Sequence, residues 1–511
     1  MVSAGDDLSD LAQAAVDAGA HYDALPYVSH PFPQMQPARL AGLARMFGLS
    51  APEVSHARVL EIGCASGGHL IPLAARLPHS VFLGLDPSRV QINEGRSRAL
   101  SMRLSNIELR DVGVEGLKPE DGTFDYILCH GVYSWVPDEV RSAILSTIER
   151  HLAPDGIAYV SYNVLPGWRL LQGLRDALIS VTSLESNPRQ KLIRARMLLD
   201  LMKRGTDADS IWGKLWRQEA HRLSEASDDY LGHEFLETHN APCTFPTFMA
   251  AAEAFNLSYL GEAELFTMLP ENGNSEIAAE LRGFVDNKLL AVEHMLDLVN
   301  GRTFRQTLLV HAANAAHINR ALVPEAMEGL HLIAPLDLAE THPDDPKLRC
   351  WADGVGRSIT TPDPNAALAI ERLIARLPAS STLDDLTYDM EGADREMAAD
   401  AIFRMLTVGL VDVSTEPVEA LASLSLKPKL FEVARRDAQR GSASTANLRH
   451  EITYLSAPER LILPLVDGSR SLGIIANAIE KTHLVRSMGV SAPDLVLETL
   501  EEIARRGLLV G

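Results

Sequence analysis

The stretch Arg58–Gly68, RVLEIGCASGG, decides how the first half of this 511-residue chain folds. Its first five residues are typical of a buried β-strand, and the tiny residues that follow are typical of a tight loop that opens a helix. Small residues at such a point let the backbone come within contact distance of a ligand. The stretch therefore predicts a strand, a ligand-binding loop and a helix in direct succession.

Strands and helices alternate around this loop. A helix is expected at 37–49, where Gly48 is placed to stop it, and the loop should lead into a helix at 69–77. Further along, strands are predicted at 81–85, 107–110, 126–129 and 157–162, and helices at 88–100 and 138–152. This alternation predicts an α/β fold with a doubly wound, Rossmann-like parallel sheet.

The first domain is expected to extend well beyond these elements, to residue 312. A helical segment at about 168–232 looks like an insertion, and strands at 257–262 and 303–311 around a helix at 276–300 would complete the sheet. The domain 1–312 is thus a sheet with a helical insertion.

The last third contains a short internal repeat. Glu371-Arg372-Leu373-Ile374 recurs as Glu459-Arg460-Leu461-Ile462, and each copy leads through a turn and a helix to a closing Gly-Leu-Val or Gly-Leu-Leu piece. Helix, turn, helix and closing strand is the outline of a winged helix. We expect two winged-helix-like units, at 365–415 and 455–511, within domains 313–415 and 416–511.

The charge balance excludes one class of function. The formal net charge is −21, and residues 311–511 contain 20 Lys and Arg against 29 Asp and Glu. Nucleic-acid binding needs a basic face, so no nucleic-acid partner is expected, not even for the winged-helix-like units.

Cysteine usage and hydropathy indicate the compartment. The four cysteines lie far apart, so neither a disulfide framework nor a metal site is expected. The first ten residues are acidic, unlike a signal peptide, and no run of about 18 apolar residues predicts membrane insertion. These features favour a cytoplasmic protein.

The loop after the first strand favours one kind of nucleotide cofactor over another. A dinucleotide site uses G-x-G-x-x-G, but here Ala65 stands between Gly63 and Gly67, and the third glycine is missing. Glu61 at the strand end would repel a pyrophosphate, whereas its carboxylate suits the ammonium of a methionyl group.

Polar residues also end the next strands. Asp86 lies 19 positions after Gly67, a spacing that lets its carboxylate accept both ribose hydroxyls. Asp111 follows the third strand and is placed to meet an adenine amino group. The fourth strand ends at Cys129 and His130. Because each element follows a successive parallel strand, together they predict one cofactor cleft.

In this order the elements resemble the class I S-adenosylmethionine-dependent methyltransferases. A narrower resemblance is carried by YDALPYVS (22–29), GCASGGHLIPLA (63–74), HGVYSWVP (130–137), LAPDGIAYVSYNVLPGW (152–168), YLGEAE (259–264) and GRTFRQTLLVH (301–311). These segments are similar to the branch that carries a methyltransferase regulatory domain, whose best-known members are rickettsial protein-lysine methyltransferases of outer-membrane proteins. The chain departs from the wider superfamily at Ala65, where a glycine is usual, so the loop should be slightly tighter.

The resemblance implies S-adenosyl-L-methionine as cofactor and a set of site residues. The expected cofactor-binding residues are Glu61, Gly63, Cys64, Ala65, Gly67, Asp86, Asp111, Val112 and His130. The expected residues around the transferred methyl group are Tyr22, Tyr27, Tyr133, Trp135, Asn163 and Trp168. The aromatic side chains could cage an amine by cation–π attraction or could simply fill the core, and Asn163 could offer a polar contact.

Three functions stay open at this point. The first is protein-lysine N-methylation by in-line transfer to a deprotonated amine, with the C-terminal units gripping the protein and dispensable for cofactor binding. The second is methylation of a small amine or hydroxyl in a biosynthetic pathway. The third is a cofactor-binding regulator. No dedicated catalytic base is expected, because the cofactor itself activates the methyl group.

Overall fold

The computed structural model describes residues 23, 28–237, 239–273, 275–342, 345 and 347–510 of the chain. Tyr22 and Tyr27, two of the predicted site residues, lie outside these described residues.

A seven-stranded sheet forms the centre of the molecule. Its strands are β1 (Arg58–Ile62), β2 (Val81–Leu85), β3 (Ile107–Arg110), β4 (Phe124–Cys129), β5 (Leu152–Asn163), β6 (Leu257–Glu262) and β7 (Phe304–His311). They lie in the order β3-β2-β1-β4-β5-β7-β6, with β1 to β5 parallel and β7 antiparallel to its two neighbours. The predicted α/β doubly wound sheet is confirmed.

This strand order determines where a ligand can bind. From β1 the chain builds outward to β2 and β3, and then crosses to β4 on the other side of β1. Such a reversal opens a crevice at the carboxyl ends of the strands. The helices that cover the two faces of the sheet are α1 (Pro37–Met46), α2 (Leu70–Arg76), α3 (Arg89–Ser101) and α4 (Asp138–His151).

The predicted helical insertion is present. Between β5 and β6 the chain forms α5 (Trp168–Thr182), α6 (Pro188–Gly205), α7 (Ile211–Glu225) and α8 (Asp228–Phe235), followed by α9 (Phe245–Glu253). Helices α5 to α8 enclose an apolar core of their own, with Leu178, Leu199 and Leu223 fully buried. The insertion is therefore a separately packed bundle attached to the carboxyl end of β5.

The prediction of a single helix at 276–300 is wrong. The structure has two helices there, α10 (Ser275–Phe284) and α11 (Leu289–Asn300). Between them Asp286 and Asn287 adopt φ angles of 53° and 56°. Asp and Asn tolerate this left-handed conformation, which ends a helix and lets the chain change direction.

The segment after β7 packs against the sheet. It contains β8 (His331–Ile333), β9 (Ala339–Thr341), β10 (Arg349–Ala352), β11 (Ser358–Thr361), β12 (Ser381–Thr382) and β13 (Asp412–Ser414), with helices α12 (Pro364–Ala375), α13 (Leu383–Thr387) and α14 (Ala393–Thr407). Two three-stranded sheets form, β11-β10-β9 and β12-β8-β13. Leu373 and Ile402 belong to the same continuous buried cluster as Leu60 of β1.

The C-terminal segment encloses a second core. Its elements are β14 (Lys429–Leu430), α15 (Glu432–Gln439), β15 (Ser444–Ala446), β16 (Ile452–Tyr454), α16 (Ala457–Ile462), α17 (Leu472–Ile479), α18 (His483–Met488), α19 (Ala492–Arg505) and β17 (Leu509–Val510). Strand β14 pairs with β17, and Leu430 lies in the same buried cluster as Leu509. This packed unit therefore starts before residue 455, where the repeat alone placed it.

One side chain fastens α2 to the strand that follows it. The amide nitrogen of Asn106 lies 3.1, 3.0 and 3.0 Å from the carbonyl oxygens of Ala74, Leu77 and Ser80. We expect Asn106→Ala to lower the free energy of unfolding by about 1–2 kcal/mol, because it leaves partly buried carbonyls without a donor. Denaturant unfolding measures this, with the exposed neighbour Ser105→Ala as control. Equal stability of both variants would contradict the role given to Asn106.

Candidate functional site

A cavity of about 260 Å³ lies at the crevice between β1 and β4. Its walls come from the segment 29–32, from the ends of β1, β2 and β4, from residues 113–115 after β3, and from α8 of the insertion. Parallel strands, the insertion and the preceding segment thus converge on one site.

The loop after β1 has the backbone geometry that its small residues predict. Gly63, Ala65 and Gly67 all have positive φ angles, of 80°, 48° and 71°. A side chain on Gly63 would also collide with Val132, because its Cβ would lie 2.3 Å from the valine Cγ2. Ala65 bears the small cost of a non-glycine residue in this conformation. The loop is therefore a close-approach turn, and its last residue, Gly68, is blocked too, because a Cβ there would lie 2.3 Å from the carbonyl oxygen of Ser29.

Asp86 connects this loop to the end of β2. One carboxylate oxygen accepts a hydrogen bond from the amide of Ala65, at 2.9 Å, and the other from the amide of Ser88, also at 2.9 Å. Burial nevertheless raises the pKa of Asp86 to about 6. The carboxylate lines the cavity, so a ligand hydroxyl that donates to it would favour its ionised form.

Glu61 is the buried acid at the end of β1. Its Oε2 is buried and has no hydrogen-bond partner among the described residues. Burial, and secondly the nearby Asp86, raise the pKa of Glu61 to about 8. An unpaired carboxyl on a cavity wall is costly to bury, and a cationic donor would remove that cost. The chemistry of Glu61 therefore fits the ammonium group of a methionyl ligand.

His130, at the end of β4, is a neutral group of the wall. Its Nδ1 lies 2.9 Å from the hydroxyl of Tyr159, which donates onward to Gln306 at 2.8 Å. The ring of Phe32 lies 4.2 Å away, centroid to centroid. Burial lowers the pKa of His130 to about 4, so the imidazole adds shape and polarity without a positive charge.

A further acid, Glu234, and an indole, Trp135, also line the cavity. Trp135 lines the cavity, backed by Trp168 in an edge-to-face contact with centroids 6.4 Å apart. Glu234, on α8, lines it too, and burial raises the pKa of its carboxyl to about 7. A carboxylate and an aromatic face on the wall of one cavity are suited to receive an amine.

The structure brings about half of the predicted site residues to this cavity. The residues that line it are Glu61, Gly63, Cys64, Ala65, Asp86, His130 and Trp135. The described residues that do not line it are Gly67, Asp111, Val112, Tyr133, Asn163 and Trp168. Which of the lining residues bind a cofactor stays a prediction.

Several of the predicted residues that do not line the cavity make other contacts instead. Asp111 pairs with Arg96 at 3.0 Å on the surface. Tyr133 is buried against Phe248, with centroids 5.2 Å apart. Asn163 is buried too, and its backbone amide donates to the hydroxyl of Ser134 at 2.8 Å. For the aromatic residues, core packing is therefore the better interpretation at Tyr133, whereas Trp168 supports the cavity from behind Trp135.

Sequence reasoning missed several residues of the wall. Gly113, Val114 and Glu115 replace the predicted Asp111 and Val112, and a shift of two residues past the strand end would have found them. Glu234 had no signal in the sequence, because nothing local shows that an insertion helix folds back over the crevice.

The sequence matches three protein families along its length. Residues 59–156 match a methyltransferase domain, residues 227–311 a predicted methyltransferase regulatory domain, and residues 427–508 the C-terminal winged-helix domain described for PKMT. The first match contains the loop and both buried acids, and the second contains Glu234.

Whole-chain relatives agree with these matches. The uncharacterised protein RP789 of Rickettsia prowazekii is 30% identical over 502 residues, covering 95% of this chain and 90% of its own. The structure of PKMT2 from Rickettsia typhi matches with a TM-score of 0.83 at 26% identity, over 95% of this chain and 100% of that one. A second structure of PKMT2, in complex with AdoHcy, matches with the same TM-score at 25% identity.

AdoHcy is S-adenosylmethionine without its methyl group, so the class of cofactor and the class of reaction agree with the acids of the cavity. From its cavity, its three matched families and its full-length relatives, this chain belongs to the class I methyltransferases with a methyltransferase regulatory domain, and it is an enzyme that uses S-adenosylmethionine.

Proposed function

We propose that the enzyme methylates lysine side chains of protein substrates. The observation that carries this proposal is the match to PKMT2, whose abbreviation denotes a protein-lysine methyltransferase, because it extends over 95% of the chain and not only over the sheet. It includes the insertion, which supplies Glu234 to the cavity, and the C-terminal winged helix. These are the parts in which such an enzyme would differ from a minimal methyltransferase.

We assign the cofactor to the half of the cavity that holds the buried acids. Asp86 would accept from the ribose hydroxyls, Glu61 would face the ammonium, and the backbone of 63–65 would let the methionyl part approach closely. The bound cofactor supplies a methyl group that its sulfonium already activates. The protein's own task is to position the acceptor and exclude water.

The acceptor would enter between Trp135 and Glu234. A lysine amine has a solution pKa of about 10.4 and must lose a proton before it can act as a nucleophile. A carboxyl whose pKa is about 7 is partly ionised at neutral pH and could attract the ammonium and take its proton. Where the sequence indicated no dedicated base, the structure thus offers Glu234 as a candidate.

We propose, in addition, that the enzyme works in the cytoplasm and that its domains divide near residues 312 and 415. The four cysteines are all free, as in a reducing compartment. Within the described residues, no helix is both long and apolar enough to cross a membrane. The last strand of the main sheet ends at His311, so the division near 312 separates two sheets that share one core, whereas the division near 415 precedes a second core that begins at Leu430.

Labelled S-adenosylmethionine and cell lysate test the proposed acceptor. We expect label on proteins, and its loss when lysines are first acetylated. Label confined to small molecules would instead indicate methylation of a biosynthetic amine or hydroxyl. Tight cofactor binding without any transfer would indicate a regulator.

Asp86 and Asp111 form a matched pair of strand-end acids. We expect Asp86→Ala to weaken S-adenosylmethionine binding by about 10- to 100-fold, the loss of a charged hydrogen-bond acceptor worth about 1.5–3 kcal/mol. Asp111→Ala should change the affinity less than about threefold, since Asp111 faces Arg96 outside the cavity. Calorimetry measures both. Equal losses would show that the cavity is not the cofactor site.

Proton release tests the role of Glu61. With a pKa of about 8 the carboxyl is mostly protonated at pH 7, so binding a cation beside it should expel a proton. Affinity should therefore rise between pH 6 and 8 and level off above the pKa. Calorimetry in two buffers of different ionisation heat counts the protons. The Glu61→Gln variant should release fewer protons than the wild type when the cofactor binds. Release of the same number of protons by both proteins would rule out ionisation of Glu61 on binding.

Glu234→Gln tests the acceptor side separately. We expect the rate on a lysine-bearing protein to fall about 100-fold, the range for losing a general base, with cofactor affinity unchanged. The wild-type rate should rise and then level off as pH passes about 7, where Glu234 ionises, whereas the rate of the variant should keep rising towards the pKa of the lysine amine. Glu225→Gln, an exposed acid of α7, is the control. Wild-type rates from pH 6 to 9 in Glu234→Gln would exclude a role for its carboxylate.

A further inference from the structure

One contact to the cofactor loop comes from the far end of the chain. His450 lies 381 positions beyond His69, and its Nε2 lies 2.8 Å from His69 Nδ1. Both side chains are buried, with 0% and 1% exposed, and their rings meet edge to face. His69 directly follows Gly67 and Gly68. The C-terminal segment therefore touches the base of the loop itself.

The direction of this hydrogen bond can be assigned. The backbone amide of Phe32 also points to His69 Nδ1, at 3.3 Å. An amide N–H only donates, so His69 Nδ1 is an acceptor and His450 Nε2 must carry the proton. The two donors share one imidazole nitrogen, which joins three distant parts of the chain.

The segment 29–32 connects His69 to the cavity. Ser29 accepts a hydrogen bond from the amide of Gly68 at 2.7 Å, so the segment 29–32 is attached to the loop at two successive residues, Gly68 and His69. Ser29 and Phe32 both line the cavity, and Phe32 packs on His130. A displacement of His69 would therefore move the wall.

His450 is itself held firmly. It has a φ angle of 64° in a loop where the Asn447 side chain accepts from the amides of Arg449 and Glu451, at 2.9 and 2.8 Å. The Arg449 guanidinium donates to the carbonyls of Ala334 and Pro378, at 2.6 and 3.3 Å. His450 Nε2 therefore donates to His69 from a loop that is itself held at Ala334 and Pro378.

We infer that His450 is a positioning residue for cofactor binding: by donating to His69 it holds the segment 29–32 against the cofactor loop. The C-terminal winged helix thus completes the cofactor site from behind. This rests on the proposed assignment of the cavity. It also replaces the expectation, based on sequence alone, that residues 415–511 are dispensable for binding the cofactor.

Two substitutions at one position test the inference. His450→Ala should raise the dissociation constant for AdoHcy about tenfold, the effect of one buried hydrogen bond, and His450→Gln should stay within about threefold because its amide can still donate. Alanine and glutamine bear a similar backbone cost at this positive φ. The affinity of the acceptor protein should stay the same in both variants. An unchanged dissociation constant in His450→Ala overturns the inference, and absence of binding by the wild type overturns the cavity assignment as well.

A control at the same interface separates positioning from general loosening. Asp437 pairs with Arg98 of α3 at 2.7 Å, whereas His450 contacts the end of the cofactor loop. Asp437→Asn should weaken this interface yet leave the AdoHcy affinity within about threefold of the wild type. Equal loss of affinity in Asp437→Asn, His450→Ala and His450→Gln would show a merely structural effect and reject the role of His450.

Hydrogen exchange on the wild type provides a test that needs no variant. Coupling between two sites is reciprocal, so AdoHcy should slow amide exchange in the loop 447–451 if that loop supports the cofactor site. The amides of α17 and α18, on the same winged helix, serve as internal reference. Slower exchange at 447–451 alone supports the inference, and no change there overturns it.

Discussion

The site depends on the two hydrogen bonds that the buried carboxylate of Asp86 accepts. Its two oxygens accept from amides that follow two different strands, Ala65 after β1 and Ser88 after β2. One side chain thereby fixes the loop in its left-handed conformation and the start of α3 at once. Ionising it costs free energy, because burial raises its pKa. The folded protein accepts that cost at the place where a ligand with hydroxyl and ammonium groups would offset it.

Much of the fold could be predicted from local sequence patterns. The strands at 58–62, 81–85, 107–110 and 257–262 have the predicted bounds, because in each the apolar residues either follow one another or alternate with polar ones. The break between α10 and α11 was missed, since the left-handed pair Asp286 and Asn287 contains no glycine or proline.

The candidate site was predictable where it follows strand ends and unpredictable elsewhere. Glu61 and Asp86 were found because parallel strands bring their carboxyl ends to one edge. Asp111 does not line the cavity, because it pairs with Arg96 of α3 at the surface, and its role in cofactor binding stays a prediction. Glu234 and His450 reach the region from an insertion and from the last unit of the chain. Such long-range approach is set by packing, which has no local signature.

The insertion has a consequence for how such an enzyme can diversify. Helices α5 to α8 enclose their own core, around residues such as Leu199, and still deliver Glu234 to a cavity whose buried acids, Glu61 and Asp86, lie at the ends of sheet strands. Changes on the bundle need not disturb the strand ends that hold Asp86 and Glu61. If the proposed assignment of the cavity holds, acceptor preference and cofactor chemistry are encoded on independently packed layers, and selection can alter the first while the second stays constant.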